Sequence, residues 1–244
     1  MALAEAPFRV NHRGEWPGPL TLRRGWARAE ARPWNDTATD ASLRLVRGGS
    51  GFLEACTERL VELGAPAVMS PPLPTGARRT WEAAGFHHFL DLALMRLSLD
   101  EQPPAPDHLV VECTSPPMEQ LLAIDTRAFS PFWRFDTLGL REAIEATGDS
   151  SVLIIRDSDG DPAAFAVIGY GSAVSYLQRV AVHPDWQGQG MGRSLVRVAA
   201  RKARAGGAHV MLLNTQYDNA AAISLYESEG FVLLPEPLSL LRSE

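Results

Sequence analysis

Apolar and polar positions change period along the chain, and each change marks an element. Leu43, Arg44, Leu45 and Val46 read as a strand, residues 47–51 as a glycine-rich loop, and Phe52, Leu53, Cys56, Leu60 and Leu63 as one helical face ending at Gly64. A short strand at 67–69, a proline-rich loop at 70–76, a helix leading to Trp81 and an extended run over 89–99 follow. Residues 1–40 mix Trp16, Trp26 and Trp34 with prolines and hold no period, so only short strands and loops are expected there.

The second half is more regular. Residues 108–113 predict a strand, and Ser115 is a candidate cap for a helix whose first turn takes Pro116 and Pro117, with Met118, Leu121, Leu122 and Ala128 inward. Asp136 is the candidate cap of a second helix ended by Gly148. Strands at 152–156 and 163–169 flank residues 157–161; that acidic loop lacks a glutamate at the twelfth position, so a hairpin turn is preferred over a calcium loop. A strand over 174–182, a helix from Gly192 to Gly206-Gly207 with Arg197, Arg201 and Arg204 along a solvated side, a strand over 210–213 and a helix over 220–229 complete the core pattern, before a final extended pair over 231–241.

Composition narrows the class. The 244 residues are 45% apolar and 21% charged with a net charge of -6, which suits an ordinary globular protein and argues against nucleic acid as the main partner. No apolar run reaches the ~20 residues of a membrane span and the start shows no signal-like core, so cytoplasmic residence away from membranes is the expectation. Cys56 and Cys113 show no metal-ligand spacing, no metal site is expected, and Cys56 reads as a buried hydrophobe. Residues 101–107, rich in proline, read as a linker between residues 1–100 and 108–244.

Candidate chemistry concentrates where the 174–182 strand meets the next helix. Gln187, Gly188, Gln189, Gly190, Met191, Gly192 and Arg193 form a tight glycine loop whose N–H groups, with the helix dipole, suit an anion such as a diphosphate. The spacing G-x-G-x-G differs from the dinucleotide fingerprint, and a P-loop is excluded because the chain's one lysine, Lys202, lies inside the helix. A second stretch, from Asn214 to Phe231, carries Asn219, Ala222, Tyr226, Gly230 and Phe231.

Together these motifs resemble the two signatures of the GNAT acetyltransferases, Gln/Arg-x-x-Gly-x-Gly/Ala and Asn-x-x-Ala-x-x-x-Tyr-x-x-x-Gly-Phe, over residues 108–244. The resemblance implies a mixed α/β GNAT fold, a central twisted sheet flanked by helices. It implies acetyl-CoA as acyl donor, its diphosphate on Gln187–Arg193 with Arg193 meeting a phosphate, and its pantetheine along the backbone of Val180, Ala181 and Val182, with Asn219 and Ala222 at the far end. Backbone groups of the same strand would receive the oxyanion, and Tyr226 would be the general acid, its reference pKa of about 10 close to the thiolate's of about 8.5. Residues 175–182 hold no carboxylate, so water at Tyr176 or Gln178, a neutral amine, or Glu112, His87 or His88 remain as routes for deprotonation. His183 at the strand end reads as a loop residue. Phe129, Trp133 and Arg134, with Tyr176 and Gln178, would form the acceptor site, although Phe129, Phe132 and Phe135 equally suit a helix corner.

Residues 81–86 echo 226–231, and the helix from Phe52 echoes the one from Arg193, so residues 1–100 read as a degenerate GNAT-like half beside an intact one. Paired halves suit a monomer, although the oligomeric state is open. The implied activity is acetyl transfer to a primary amine of a small molecule or peptide by direct attack. The competing readings are a non-catalytic acyl-CoA-binding module and, more distantly, a dinucleotide-binding oxidoreductase.

Overall fold

The alternating and 3.6-residue patterns resolve into thirteen strands and six α-helices in a computed structural model that describes residues 10–244. In chain order these are β1 (Asn11–Arg13), β2 (Leu20–Arg24), β3 (Ala27–Pro33), β4 (Ala41–Arg47), α1 (Ser50–Glu62), β5 (Val68–Met69), α2 (Thr75–Glu82), β6 (Phe86–Ser98), β7 (Val111–Cys113), α3 (Met118–Ala128) and α4 (Thr137–Glu145). Next come β8 (Asp149–Arg156), β9 (Pro162–Tyr170), β10 (Val174–Val182), α5 (Met191–Ala205), β11 (Val210–Gln216), α6 (Ala220–Ser228), β12 (Val232–Leu233) and β13 (Leu238–Ser243). The chain has the mixed α/β architecture that the GNAT resemblance implies. It divides into two compact units, one reaching Leu92 and completed by Glu236–Glu244, the other Ala93–Pro235.

In the first unit β1 to β4 form an antiparallel meander. α1 then carries the chain to β5, parallel to β4, and β13 lies antiparallel between β5 and the start of β6. Phe52, Leu53, Cys56 and Leu60 of α1 bury against Leu22, Leu43 and Val68, which is the stripe their spacing predicts. Burial pushes the Cys56 thiol up to about 12, so it is a core side chain.

The second unit repeats this order. β7, β8, β9 and β10 are antiparallel, α5 crosses, β11 returns parallel to β10, and the end of β6 lies beside β11 with β12 on it. One face of the sheet packs on α5 through Leu195, Ala199 and Ala203, the other on α3 and α4 through Leu121, Ile124 and Leu140. The units differ at one connection: α3 and α4 join β7 to β8, whereas residues 14–19 alone join β1 to β2.

Several expectations are corrected. The proline-rich segment 101–107 lies within the second unit, and the division falls inside β6. Arg197, Arg201 and Arg204 are not a solvated face but bind that segment and Leu99 before it, through the carbonyls of Ala105 (3.0 Å) and Pro103 (2.7 Å), Gln102 Oε1 (3.2 Å) and the carbonyl of Leu99 (2.9 Å). Ser194 Oγ also accepts from the N–H groups of Asp107 and His108, both at 3.1 Å. Prolines leave unpaired carbonyls, and a row of guanidinium donors satisfies them, so the segment is a strap on α5. Ser115 does not cap α3, which starts after Pro117 without a side-chain cap. α4 stops at Glu145, before Gly148, but Asp136 does cap it, accepting from Gly139 N at 2.7 Å. Residues 157–161 form the hairpin turn, with Asp157 Oδ1 accepting from Asp159 N and Asp161 N, both at 3.0 Å. Residues 1–9, part of the region expected as strands and loops, lie outside the described residues. No helix among the described residues is long and apolar enough to cross a membrane.

Candidate active site

Two reasons make the loop before α5 need glycine. Gly188 and Gly190 have φ of +74° and +84°, which strain any side chain. Gly192 is needed for packing, since a Cβ there would stand 3.3 Å from Leu225 Cδ2 of α6. Left-handed residues at alternate positions turn N–H groups inward, and the Gly190 cap supplies no side-chain oxygen to the first turn. Donors and dipole are therefore offered to an anion. Gln187 Nε2 braces the loop from below by donating to Val182 O at 3.1 Å, and His108 Nε2 meets Gln189 O at 2.8 Å. Met191 is buried beneath, as the first residue of α5.

Arg193, expected to meet a phosphate, is bound to Glu229 Oε1 at 2.9 Å, and it donates to Ser228 Oγ at 3.3 Å. Glu229 also takes a two-point bond from Arg197 at 2.8 and 3.1 Å, so the loop helix is clamped to the end of α6. Asn219 caps α6 by accepting from Ala222 N at 3.2 Å, which leaves its amide donors to offer.

β10 and β11 part in front of this loop. Their parallel pairing runs from Val174 and Val210 to Tyr176 and Leu212, and among the described residues goes no further, although β10 continues to Val182 and β11 to Gln216. The backbone of Val180, Ala181 and Val182 thus has a sheet partner only on the β9 side.

The register shift at Gln178 decides what β10 shows to each face. Leu177 pairs with Ile168 and Arg179 with Val167, leaving Gln178 as an extra residue that flips the alternation. Leu177, Val180 and Val182 accordingly face the α5 side, and Ala181 the α3–α4 side. Arg179 turns with Ala181, and sequence reasoning missed its role. Its guanidinium makes a two-point bond to Asp125 at 2.7 and 2.8 Å, donates to Trp133 O at 2.8 Å, and lies between the rings of Phe129 (3.4 Å) and Phe135 (3.9 Å). Asp125 is fully buried and also accepts from Phe135 N at 2.7 Å. One signal was readable: Asp125 falls on the apolar stripe of Leu121, Ile124 and Ala128, where a lone acid needs a partner.

The expected acceptor segment is therefore wrapped around Arg179. Phe129 and Phe135 serve as its aromatic walls, Trp133 lends its carbonyl, and the Trp133 and Arg134 N–H groups close a turn on Ser130 O at 2.9 and 3.1 Å. Gln178 lies against Gly169, and Tyr176 is 40% exposed.

Tyr226 lies in α6, buried and packed on Phe231 with ring centroids 5.6 Å apart. Burial pushes its phenol up to about 12, and the Arg179 charge pulls the other way. The near-balance with a thiolate expected from reference values does not hold. The side chains considered as alternative bases each have partners of their own. Glu112 is hydrogen-bonded by Lys202 Nζ at 2.8 Å and by Ser151, which hold its carboxyl below the usual range. His87 and His88 pair with Glu244 (3.7 Å) and Asp91 (3.0 Å) in the first unit. His183 Nδ1 accepts from Asp185 N at 3.3 Å, a loop role.

Residues 118–231, which hold the parting strand β10, the glycine loop and the capped α6, match the family model described as the acetyltransferase (GNAT) family. These residues are a GNAT domain. Mycothiol acetyltransferase of Nocardiopsis dassonvillei is 32% identical over 126 residues, 46% of this chain and 38% of that protein. The Escherichia coli ribosomal protein bS18-alanine N-acetyltransferase is 40% identical over 73 residues, 30% of this chain and 49% of that protein. The chain thus spans less than half the length of these relatives. A tandem GNAT protein from the clavulanic acid biosynthesis pathway superposes with a TM-score of 0.64 at 16% identity, over 93% of this chain and 82% of that one, which shows a shared fold.

Proposed function

We propose that the chain is an acetyl-CoA-dependent N-acetyltransferase acting on a primary amine of a small molecule or peptide N-terminus. The parting of β10 from β11 directly ahead of the glycine loop carries this reading, because it leaves the edge of β10 away from β9 without a strand partner where it leads into an anion cradle. Acetyl-CoA would supply the acetyl group as a thioester. The N–H groups of Gly188 to Arg193 would hold its diphosphate, and the free edge of Val180 to Val182 would pair with its amide arm as an added strand does. The same N–H groups are placed to stabilise an oxyanion. The Asn219 amide would hold the arm from the α6 side.

Tyr226 keeps its proton at neutral pH and would donate it to the departing sulfur. Arg179 occupies the part of β10 where the family resemblance would put an acidic base, and its guanidinium is compensated by Asp125, so this part of the strand offers no proton acceptor. The amine would then enter already neutral and attack directly. The names of the relatives include mycothiol and a ribosomal-protein alanine as acceptors, which supports an amine acceptor without choosing one. The residues before the division would be a degenerate copy, since Trp81 stands where Tyr226 stands and Gly85, at φ +82°, matches Gly230 at +88°.

An acceptor screen with detection of free CoA thiol tests the proposal. Thiol release with at least one amine is expected. Acetyl-CoA binding without release across a broad amine and peptide panel would favour the non-catalytic module instead.

A further inference from the structure

Among the described residues the first unit lacks the two helices that cover one sheet face in the second, and what the corresponding face carries is informative. Leu20, Leu22, Ala29 and Ala31 point into the core, so Thr21, Arg23, Arg28 and Glu30 point out. Register aligns them in two rows across four strands. One row is Asn11, Arg23, Arg28 and Arg47; the next is Arg13, Thr21, Glu30 and Arg44.

Five arginines thus share one acid. Glu30 bonds Arg28 at 2.7 Å and also Arg44, while no ion pair holds Arg13, Arg23 or Arg47 among the described residues. Arg23 and Arg28 stand directly opposite each other, a like-charge pair that destabilises a sheet. Arg28 Nε is buried and has no hydrogen-bond partner among the described residues. These groups line a cavity of about 440 Å³ together with Asn11, His12, Arg13 and Thr21, a volume in the range of small-molecule sites.

We propose that this face is a binding site for a small phosphate-bearing ligand with two or more negative charges. Guanidinium forks on adjacent strands match phosphate oxygens in pairs, and Asn11 and Thr21 add neutral hydrogen bonds at the rim. A bound polyanion relieves the Arg23–Arg28 repulsion and gives Arg28 Nε an acceptor. The site is independent of the acetyl-transfer reading, because all of its residues belong to the first unit.

Sodium pyrophosphate titrated into the full chain at constant ionic strength tests it by calorimetry. Binding is expected in the native chain, at least tenfold weaker in Arg23→Gln and in Arg13→Gln, and unchanged at this site in Gly190→Ala, which disturbs the N–H cradle of the loop before α5. Without pyrophosphate, Arg23→Gln is expected to melt no lower than the native chain, which separates lost binding from lost folding. Thr21→Val keeps every charge and is expected to weaken binding about threefold. The proposal is overturned by absence of heat in the native chain, by equal affinities in the arginine variants, or by loss of all binding in Gly190→Ala.

Discussion

Tyr226 holds its proton through the neutral range because its surroundings exclude water, not because a hydrogen bond selects the phenol form. Burial raises it from 10.0 to about 12, and burial raises Cys56 from 9.0 to about 12 in the other core. Both folded pKa values exceed the unfolded ones, so this contribution to stability is complete below pH ~9 and is lost as pH rises towards 12, where the unfolded chain releases protons that the folded chain keeps. Urea midpoints should therefore fall between pH 9 and 11, and Cys56→Ala should flatten the lower part of that fall. A midpoint that stays level over the interval contradicts the burial argument. For the reaction, Tyr226→Phe should lower kcat by about 100-fold while the calorimetric Kd for acetyl-CoA stays the same. Arg179 and Asp125 behave differently, as a buried pair in which each charge depends on the other. Asp125→Ala should lower unfolding free energy by about 3–5 kcal/mol, and Asp125→Ala combined with Arg179→Leu should recover part of it, measured by urea denaturation. The geometry of the glycine loop and of the α6 cap was legible, since glycines and an asparagine cap act through backbone conformation that local spacing encodes. The surroundings of Arg179 were not, because a single bulge at Gln178 decides which way Arg179 faces, and no residue type announces a bulge.

At the scale of elements, the loop before α5 shows how much spacing alone can fix. β10 and α6 lie within a residue of the positions that periodicity and glycine stops predict, because both are bounded by residues whose backbone preference is strong. α3 was shifted by the Pro116-Pro117 pair, where no side chain is available to cap, and the strap at 101–107 was misread because its partners, the arginines of α5, lie far along the chain. Within the loop the glycines are not equivalent. Gly190→Ala forces a left-handed L-residue at about 1–2 kcal/mol and tilts the N–H groups of the cradle. Calorimetry should show the Kd for acetyl-CoA about tenfold higher. Gly192→Ala asks only that Leu225 give by a few tenths of an ångström, so a Kd change below about threefold is expected. Equal effects from the two variants would mean that packing against α6, rather than the cradle, governs binding.

The whole molecule is folded out of sequence order. β13 comes last in the chain, yet it belongs to the first unit, where it lies between β5 and the start of β6. Its ties are numerous: Val68 N donates to Ser243 Oγ and Leu241 N to Ser70 Oγ, both at 2.9 Å, and Arg242 pairs with Asp40 at 2.8 Å. Leu241 is 1% exposed, inside the core that holds Phe52, Leu60 and Trp81. The first unit therefore cannot complete its sheet until the second has been synthesised, and its stability depends on residues that follow the GNAT domain. Leu241→Ala should cost about 2–5 kcal/mol through the cavity it leaves. Because the two units have separate cores, that loss should not be spread evenly. Hydrogen exchange should accelerate in β4, β5 and the start of β6, while β8, β9 and β10 keep their protection. If protection falls by the same factor in both sets of strands, the chain opens as one cooperative body, and the division at Leu92 has no thermodynamic counterpart.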